Sequence, residues 1–296
     1  MPEFTGTVTA PGLYGDIPED VYHSDPVPEG SLSHSGAKKI VFECPAVFDY
    51  ERKHPRRSTK AMDTGTTVHG LVLGNGPEIA VLDYADRRTK AYKDDEAKAI
   101  ADGKVPMLAK DYREAETIAA AVKNHHTAGG LFLEGDAEVS MFARDPEYGI
   151  WLRSRTDYLT YFGQTPTIVD FKAAASAAPD DFARHAGEYG YHMQDPFYRH
   201  VLALCLGCNP ADIDFIFVVV GTDPSKPYLP VIYRLNPSDT ERGRALSRQA
   251  MEKYRDCTES GTWPDWVNGE ITELPLPGYH RVRAERIINE FDGIIY

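Results

Sequence analysis

Cysteine, positive charge and long apolar runs are all scarce in this sequence. Four cysteines in 296 residues do not suggest a disulfide scaffold. With 32 Lys and Arg against 45 Asp and Glu, the formal net charge is −13, which argues against a protein that coats nucleic acid by bulk charge. A local basic path over an acidic metal site is still compatible with this charge. The longest apolar run, FIFVVVG, is far too short to span a bilayer.

Several common signatures are missing as well. The N-terminus, MPEFTGTVTAPGLYG, has no basic region followed by an apolar one, so we see no signal peptide and expect a soluble, cytoplasmic protein. There is no Gly-x-Ser-x-Gly elbow, no phosphate loop and no dinucleotide fingerprint. These absences leave little support for an unrelated α/β hydrolase or transferase.

What the sequence does contain is an apolar content of 42%, enough for a sizeable core. We expect residues 1–30, rich in Pro, Gly and acids, to form an extended arm, and residues 31–296 to form a single domain. Strand patterns lie between helix patterns, which predicts a mixed α/β core. The predicted strands are 137–144, 150–162, 167–173, 213–221 and 228–235, and the predicted helices include 110–126, 179–207 with a break near Gly190, and 236–257.

The segment TIVDFKA (167–173) places an acid and a base at the end of an apolar strand. Side chains alternate between the two faces of a strand, so Ile168, Asp170 and Lys172 share one face. Val169 and Phe171 share the other. Burying a charge is costly unless it is paired or binds a metal. The pattern therefore fits either a strand-end ion pair near solvent or a metal ligand beside a catalytic lysine.

The short gap GQTPT separates this strand from a preceding one that carries RSRTD, and it predicts a hairpin. Asp157 and Asp170 can then lie close together, where two carboxylates repel each other unless a cation lies between them. Mg²⁺ takes oxygen ligands, which Asp157, Asp170 and the carbonyl of Phe171 would supply. Lys172 would face the attacking water or the scissile phosphate, as phosphodiester hydrolysis requires. The alternative is a solvated hairpin in which Asp157 pairs with an arginine of its own strand.

Several separated motifs occur in a fixed order between about residues 31 and 235. They are LSHSGAKKIVFECPAVFDY, GTTVHGLVLG, WLRSRTDYL and IVDFKAAASAAPDDFARHAGEYGYHMQDPFY. This set resembles the exonuclease VIII (RecE-type) branch of the PD-(D/E)xK nuclease superfamily, which is related to the RecB nuclease domain and to phage lambda exonuclease. The resemblance implies a PD-(D/E)xK, or restriction-endonuclease-like, α/β fold with a mixed central sheet flanked by helices.

The resemblance also assigns roles to individual residues. The implied metal ligands are His69, Glu138, Asp157 and Asp170, besides the Phe171 carbonyl expected from the strand pattern. The implied catalytic residues are Lys172, Asp157, Asp170, Gln194 and Tyr198, the last two in a Gln-x-x-x-Tyr motif beside the DNA path. By itself, His69 on an apolar helix would be interpreted as a core residue. Pro196 departs from the family pattern, and we expect the helix to begin around His192 or to be kinked.

The implied activity is that of a Mg²⁺-dependent DNA exonuclease, with Mn²⁺ as a substitute. Such enzymes degrade linear double-stranded DNA from its ends, typically 5′ to 3′, and leave a 3′ single strand for a phage-type annealing recombinase. Some relatives form rings that thread DNA, so a homo-oligomer is one expected assembly. A phage or prophage origin would place the protein in the cytoplasm of a bacterial host.

Two basic stretches are candidates for phosphate contacts, because Lys and Arg supply that affinity. The second stretch is Arg281–Arg286, and a solvated surface is the alternative for both. The candidates in the first stretch are Arg52, Lys53, Arg56, Arg57 and Lys60.

Two rival functions remain open. Nucleases of the CRISPR-adaptation type hold an iron–sulfur cluster with one cysteine before the histidine helix and three after the Gln-x-x-x-Tyr helix, an order that Cys44, Cys205, Cys208 and Cys257 also follow. However, Cys257 lies far along the chain from Cys205 and Cys208, and LALCLGC is typical of a buried helix end. The other rival is a catalytically inactive DNA-end-binding module, against which the full set of acids and the lysine is present.

Overall fold

The computed structural model of the chain describes residues 1–54 and 64–292. Strands and helices alternate over most of these ranges, and no helix within them is long and apolar enough to cross a membrane. The strands are β1 (Gly12–Tyr14), β2 (Ser31–Ser33), β3 (Ile79–Leu82), β4 (Val105–Leu108), β5 (Asp136–Ala137), β6 (Ser140–Arg144), β7 (Trp151–Arg155), β8 (Tyr158–Phe162), β9 (Thr165–Ala174), β10 (Asp214–Gly221) and β11 (Val231–Tyr233). The helices are α1 (Glu19–His23), α2 (His34–Phe42), α3 (Pro45–Lys53), α4 (Thr64–Leu73), α5 (Lys90–Ala101), α6 (Ala109–Asn124), α7 (Pro179–Tyr189), α8 (Tyr191–Leu206), α9 (Pro237–Ser260) and α10 (Gly278–Asp292).

The central sheet has five strands in the order β11-β10-β9-β8-β5. β9 and β10 run parallel, whereas β9 pairs with β8 and β10 with β11 in antiparallel fashion. Helices α2, α8 and α9 contribute to the apolar core on one face of the sheet, and α4 and α6 contribute to the core on the other. The predicted mixed sheet flanked by helices is therefore confirmed.

Strand β9 shows the alternation that its sequence predicts. Ile168 packs in the core on the α8 side, whereas Val169 and Phe171 pack in the core beside α4 and α6. The predicted hairpin with β8 is also present, since Tyr158 lies opposite Val169 and Phe162 opposite Thr165. If this register is continued by one position, Asp157, the residue before β8, lies opposite Asp170 of β9.

Two of the predicted strands are each divided between two sheets. The segment predicted as 137–144 is interrupted at Glu138 and Val139, and the segment predicted as 150–162 is interrupted at Thr156 and Asp157. β6 and β7 belong to a second sheet, of order β1-β6-β7-β2, whereas β5 and β8 belong to the central one. Pairing continues across this joint, because Glu138 N donates to Asp157 O (3.0 Å) and Thr156 N donates to Val139 O (3.0 Å). The strand pattern continues on both sides of each interruption, so the sequence predicts one strand where the structure has two.

The predicted break between α7 and α8 lies at Gly190, whose φ of 75° is in the left-handed region. α8 begins at Tyr191, so Pro196 is its sixth residue, and the helix continues through the proline. Proline has no N–H to donate to the carbonyl of His192. Gly243 of α9 packs directly on that carbonyl: a Cβ at this glycine would lie 1.6 Å from His192 O.

The first thirty residues pack against the second sheet. β1 pairs with β6, and Val8, Tyr14 and Tyr22 share a core cluster with Phe142 and Trp151. The segment therefore contributes a strand, a short helix and buried aromatic rings to the fold. The boundary expected at residue 30 remains a prediction.

Candidate metal centre

A cavity of about 1090 Å³ opens between the N-terminal segment, the start of α2, α4 and the joint of the two sheets. His69, Glu138, Asp157, Phe171 and Lys172 all line it. His69 comes from α4, Glu138 and Asp157 come from the joint, and Phe171 and Lys172 come from β9, and together they form one wall of the cavity.

Three of the predicted metal ligands converge on this wall. One ligand atom from each of His69, Glu138 and Asp157 lies within 4.8 Å of the other two. His69 Nε2 is 3.3 Å from Asp157 Oδ2, and its Nδ1 is 3.9 Å from Glu138 Oε1. Phe171 N donates a 2.7 Å hydrogen bond to Asp157 Oδ2 and so fixes that carboxylate. An imidazole and two carboxylates that face a cavity fit a divalent cation.

The charges of this group depend on one another. Burial and the nearby Asp157 charge raise the pKa of Glu138 to about 7. Burial also raises the pKa of Asp157, but the charge of His69 and its hydrogen bond bring the net pKa below the ordinary value. Burial lowers the pKa of His69, and the charge of Asp157 more than reverses this. The arrangement favours a positive group among the carboxylates, as a metal site requires.

Asp170 lies beside this group, and both of its oxygens are engaged. Oδ1 accepts a 2.6 Å hydrogen bond from Gln194 Nε2, and Oδ2 pairs with the Lys172 ammonium. Burial raises the pKa of Asp170 to about 6, and the charge of Lys172 limits this rise. The Lys172 ammonium also lies 4.9 Å from the centre of the Tyr191 ring. Asp170 is thus held by Gln194 and Lys172 and is not one of the three converging ligands, so its role as a metal ligand stays a prediction.

His34 is a residue of the site that sequence analysis did not single out. It lines the cavity, its ring lies edge-on to Tyr198 at 6.2 Å, and its Nε2 is 3.3 Å from the carbonyl oxygen of Gly190. Burial lowers the pKa of His34 to about 3, so the ring is neutral at pH 7. Tyr198 also lines the cavity, as expected of the Gln-x-x-x-Tyr motif. In the sequence, His34 is marked only by its position in the motif LSHSGAKKIVFECPAVFDY.

The arginines of β7 do not pair with Asp157. Arg153 pairs with Asp25 at 2.7 Å, and Arg155 donates to the carbonyl of Ile17 at 2.5 Å. Both therefore tie the N-terminal segment to the cavity wall. The solvated-hairpin alternative for Asp157 is wrong, because His69 and the Phe171 amide are its partners.

The predicted phosphate contacts that the structure describes do not line this cavity. Arg52 and Lys53 of α3 both pair with Asp49, at 2.8 and 2.6 Å, and Arg52 lies 4.6 Å from the centre of the Trp263 ring. Residues 281–286 belong to the exposed helix α10. The other predicted contacts, Arg56, Arg57 and Lys60, lie outside the described residues.

The cysteines do not form a common site in the part of the chain that the structure describes. Cys44 and Cys257 are buried, Cys208 is exposed, and Cys205 Sγ contacts the carbonyl of Phe142 at 3.3 Å. Among the described residues, His69, Glu138 and Asp157 form the one group of three or more candidate metal ligands whose ligand atoms lie close together. The thiols therefore give no support to the iron–sulfur alternative.

The comparison with known proteins identifies the family of the chain. The chain belongs to the family of PDDEXK-like domains of unknown function DUF3799, which matches residues 33–272. No curated protein matches the chain.

Among solved structures, the chain is similar to a protein of Eubacterium rectale that is described provisionally as an exonuclease. The two are 15% identical with a TM-score of 0.57, over 88% of this chain and 96% of that one. At this identity the likeness shows a shared fold. A second structure, of the protein SSO0001, is 13% identical over 78% of this chain and 80% of its own, with a TM-score of 0.35 that is too low to define a shared fold.

Proposed function

We propose that this protein is a metal-dependent deoxyribonuclease that degrades linear double-stranded DNA from its ends. The observation that carries the proposal is the convergence of His69, Glu138 and Asp157 beside the Lys172–Asp170 pair on one wall of an open cavity. The family supports a nuclease fold, and the description of the Eubacterium rectale protein supports the exonuclease class.

Separate residues of the site would bind the metal, position its ligands and stabilise charge on the phosphate. His69, Glu138 and Asp157 would hold a divalent cation, Mg²⁺ or Mn²⁺, which when bound supplies positive charge against the phosphate and acidifies water. The Phe171 amide keeps the Asp157 carboxylate in place through its 2.7 Å hydrogen bond. Lys172 offers its ammonium to the charge that develops on the phosphate.

Asp170 and Gln194 prepare that lysine. Burial alone lowers the pKa of Lys172, but the carboxylates of Asp170 and Asp157 raise it more, so the side chain stays charged at the cavity wall. Gln194 donates to the second oxygen of Asp170 and prevents the carboxylate from turning away. The lysine is therefore already oriented when substrate arrives.

The finer features of the proposal derive from the resemblance to the RecE-type branch. They are 5′ to 3′ polarity, a 3′ single strand passed to a phage annealing recombinase, and assembly into a ring around DNA. The stretch from Arg52 to Lys60 and residues 281–286 are the proposed contacts to DNA phosphates.

The decisive experiment compares linear and covalently closed circular duplex DNA in Mg²⁺, with EDTA as the control. We expect linear DNA to be degraded from its ends, circles to be spared and EDTA to stop the reaction. Rapid cleavage of closed circles would overturn the exonuclease assignment in favour of an endonuclease. Binding of DNA ends without cleavage in Mg²⁺ or Mn²⁺ would instead favour the inactive end-binding module.

A pair of variants connects this activity to the proposed site. Asp157→Asn removes one ligand charge, and we expect it to lower both Mg²⁺ affinity, measured by calorimetry, and the cleavage rate by about 100-fold or more. Asp136→Asn, at an exposed position two residues before Glu138, is the matched control and should retain both. Equal activity of the two variants would show that the metal lies elsewhere.

A further inference from the structure

An exposed aromatic patch adjoins the cavity where α2 meets the turn between α7 and α8. Its rings are Phe42, His185, Tyr189 and His192, with Lys38 among them. Tyr189 and Phe42 are 51% and 49% exposed. Tyr189 stacks on His185 at 4.2 Å, Phe42 lies 6.2 Å from His192, and Lys38 Nζ lies 5.8 Å from the Tyr189 ring centre. Phe42 and Tyr189 are exposed, His185 and His192 are half-buried, and Lys38 lies over the Tyr189 ring, so this surface suits a planar, negatively charged ligand.

The patch is continuous with the candidate centre. Tyr191, next to the patch in the chain, has its ring 5.6 Å from His185 on one side and 4.9 Å from the Lys172 ammonium on the other. The carbonyl of Gly190 faces His34, which lines the cavity. Tyr191 and Gly190 therefore connect the patch to Lys172 and His34, which line the cavity.

The cation of the patch is available to a ligand. Among the described residues, no carboxylate lies within 4 Å of Lys38 Nζ, which contacts the Tyr189 carbonyl at 3.2 Å. Its neighbour Lys39, in contrast, pairs with both Glu43 and Glu51. Lys38 can thus pair with a phosphate without giving up an existing ion pair.

We propose that this patch binds unpaired bases of a DNA single strand, with Tyr189 and Phe42 as stacking surfaces and Lys38 as a phosphate contact. The inference rests on the proposed nuclease function and names the part of the substrate that lies outside the cavity. Unpaired bases expose the faces that aromatic side chains stack on, whereas a duplex presents mainly phosphates and needs many cations. One lysine among several rings therefore fits a single strand better than a duplex.

The test uses a single-stranded oligonucleotide that carries 2-aminopurine near one end, in Ca²⁺, where we expect binding with little cleavage. Binding of the wild-type chain should quench the fluorescence through stacking. Tyr189→Ala and Phe42→Ala should each weaken binding by about fivefold or more, because stacking contributes roughly 1–3 kcal/mol per base. Tyr189→Trp should retain both affinity and quenching.

The matched controls are Tyr161→Ala and Phe162→Ala, since these residues are 51% and 49% exposed at the far end of the β8–β9 hairpin. We expect the controls to bind as the wild type does, and all four alanine variants to melt at similar temperatures. Equal affinity of the patch and control variants would overturn the inference. So would an equal loss for a blunt duplex, which would indicate duplex binding instead.

These results separate the two proposals. A wild-type chain that degrades linear DNA but shows no quenching keeps the nuclease function and overturns the patch. A chain that neither binds nor cleaves DNA in any of the ions overturns both.

Discussion

At the scale of single residues, the cavity wall is organised by pairs that fix one another. Asp157 is held by the Phe171 amide and by His69, and Asp170 by Gln194 and Lys172. Glu138 is the third member of the group. Its backbone φ is 55°, which is uncommon for a residue other than glycine. Such a conformation persists where the surrounding structure holds it, here through its hydrogen bond across the joint.

His34 makes stability dependent on pH. Its pKa is lowered to about 3 by burial, whereas in the unfolded chain it has the ordinary value of 6.5. The unfolded chain therefore takes up the proton first, and stability is lost as pH falls from about 6.5 towards 3. We expect His34→Gln, which keeps a donor for the Gly190 carbonyl, to lose about 1–3 kcal/mol less between pH 7.5 and 4.5. Urea unfolding at both pH values measures this, and identical losses in the two proteins would contradict it.

Tyr191 should position Lys172 for the proposed reaction. A ring face 4.9 Å from an ammonium attracts it and restricts its movement. We expect Tyr191→Leu to lower kcat by about tenfold with little change in KM, and Tyr191→Phe to remain near wild type because the ring is kept. Steady-state cleavage of a linear duplex provides the measurement. Equal rates for Leu and Phe would remove the ring from this role.

At the scale of secondary-structure elements, two close approaches define the site. The joint between the sheets brings Glu138 next to Asp157, and α8 carries Gln194 to Asp170. The position of α8 depends on its packing against α9. Pro196 leaves the carbonyl of His192 without its usual hydrogen bond within the helix, and Gly243 of α9 packs on that carbonyl. The proline and the glycine thus form one packing arrangement on two helices.

Gly243→Ala should disturb that arrangement. The added Cβ would meet backbone atoms of His192, which cannot move without shifting α8. We expect a loss of about 2–3 kcal/mol in the free energy of unfolding, measured in urea, together with reduced cleavage. Gly187→Ala is the control, because a Cβ there has nothing within 4 Å, and it should stabilise α7 by about 0.5–1 kcal/mol. A neutral Gly243→Ala would show that the helices can separate freely.

At the scale of the whole molecule, the chain has a well-packed body and an exposed C-terminal segment. The described residues from 265 to 290 are all exposed, including Ile271, Leu274 and Val282. The body ends with α9 and with Trp263, whose ring lies 6.0 Å from Tyr254. Stability should therefore come from residues before the segment.

Deleting residues 270–296 tests this division. We expect the shortened chain to keep its free energy of unfolding within about 1 kcal/mol, because the side chains of residues 270–290 are all exposed. Urea unfolding at two protein concentrations gives the measurement. A large loss that depends on concentration would mean that the segment is covered by another copy of the chain.

The sequence by itself determined much of the local structure. Alternation along TIVDFKA placed Asp170 on one face and Val169 and Phe171 on the other, and the GQTPT gap predicted the hairpin that aligns Asp157 with it. Gly190 marked the break between α7 and α8. These features depend on neighbouring residues and on the period of strands and helices, which a sequence states directly. The motif order also named His69, Glu138, Lys172 and Gln194, which the structure brings to one region.

Only the tertiary structure decided how these parts meet. The bend at Glu138 and Asp157, the pairing of Arg153 and Arg155 with the N-terminal segment, and the place of His34 all involve contacts between residues far apart in the chain. The hydrogen bond from Gln194 to Asp170 depends on where α8 lies on the sheet, and Gly243 and Pro196 together determine that position. Such contacts arise from packing in three dimensions, where the same local pattern is compatible with several partners, so the chain order alone could not select among them.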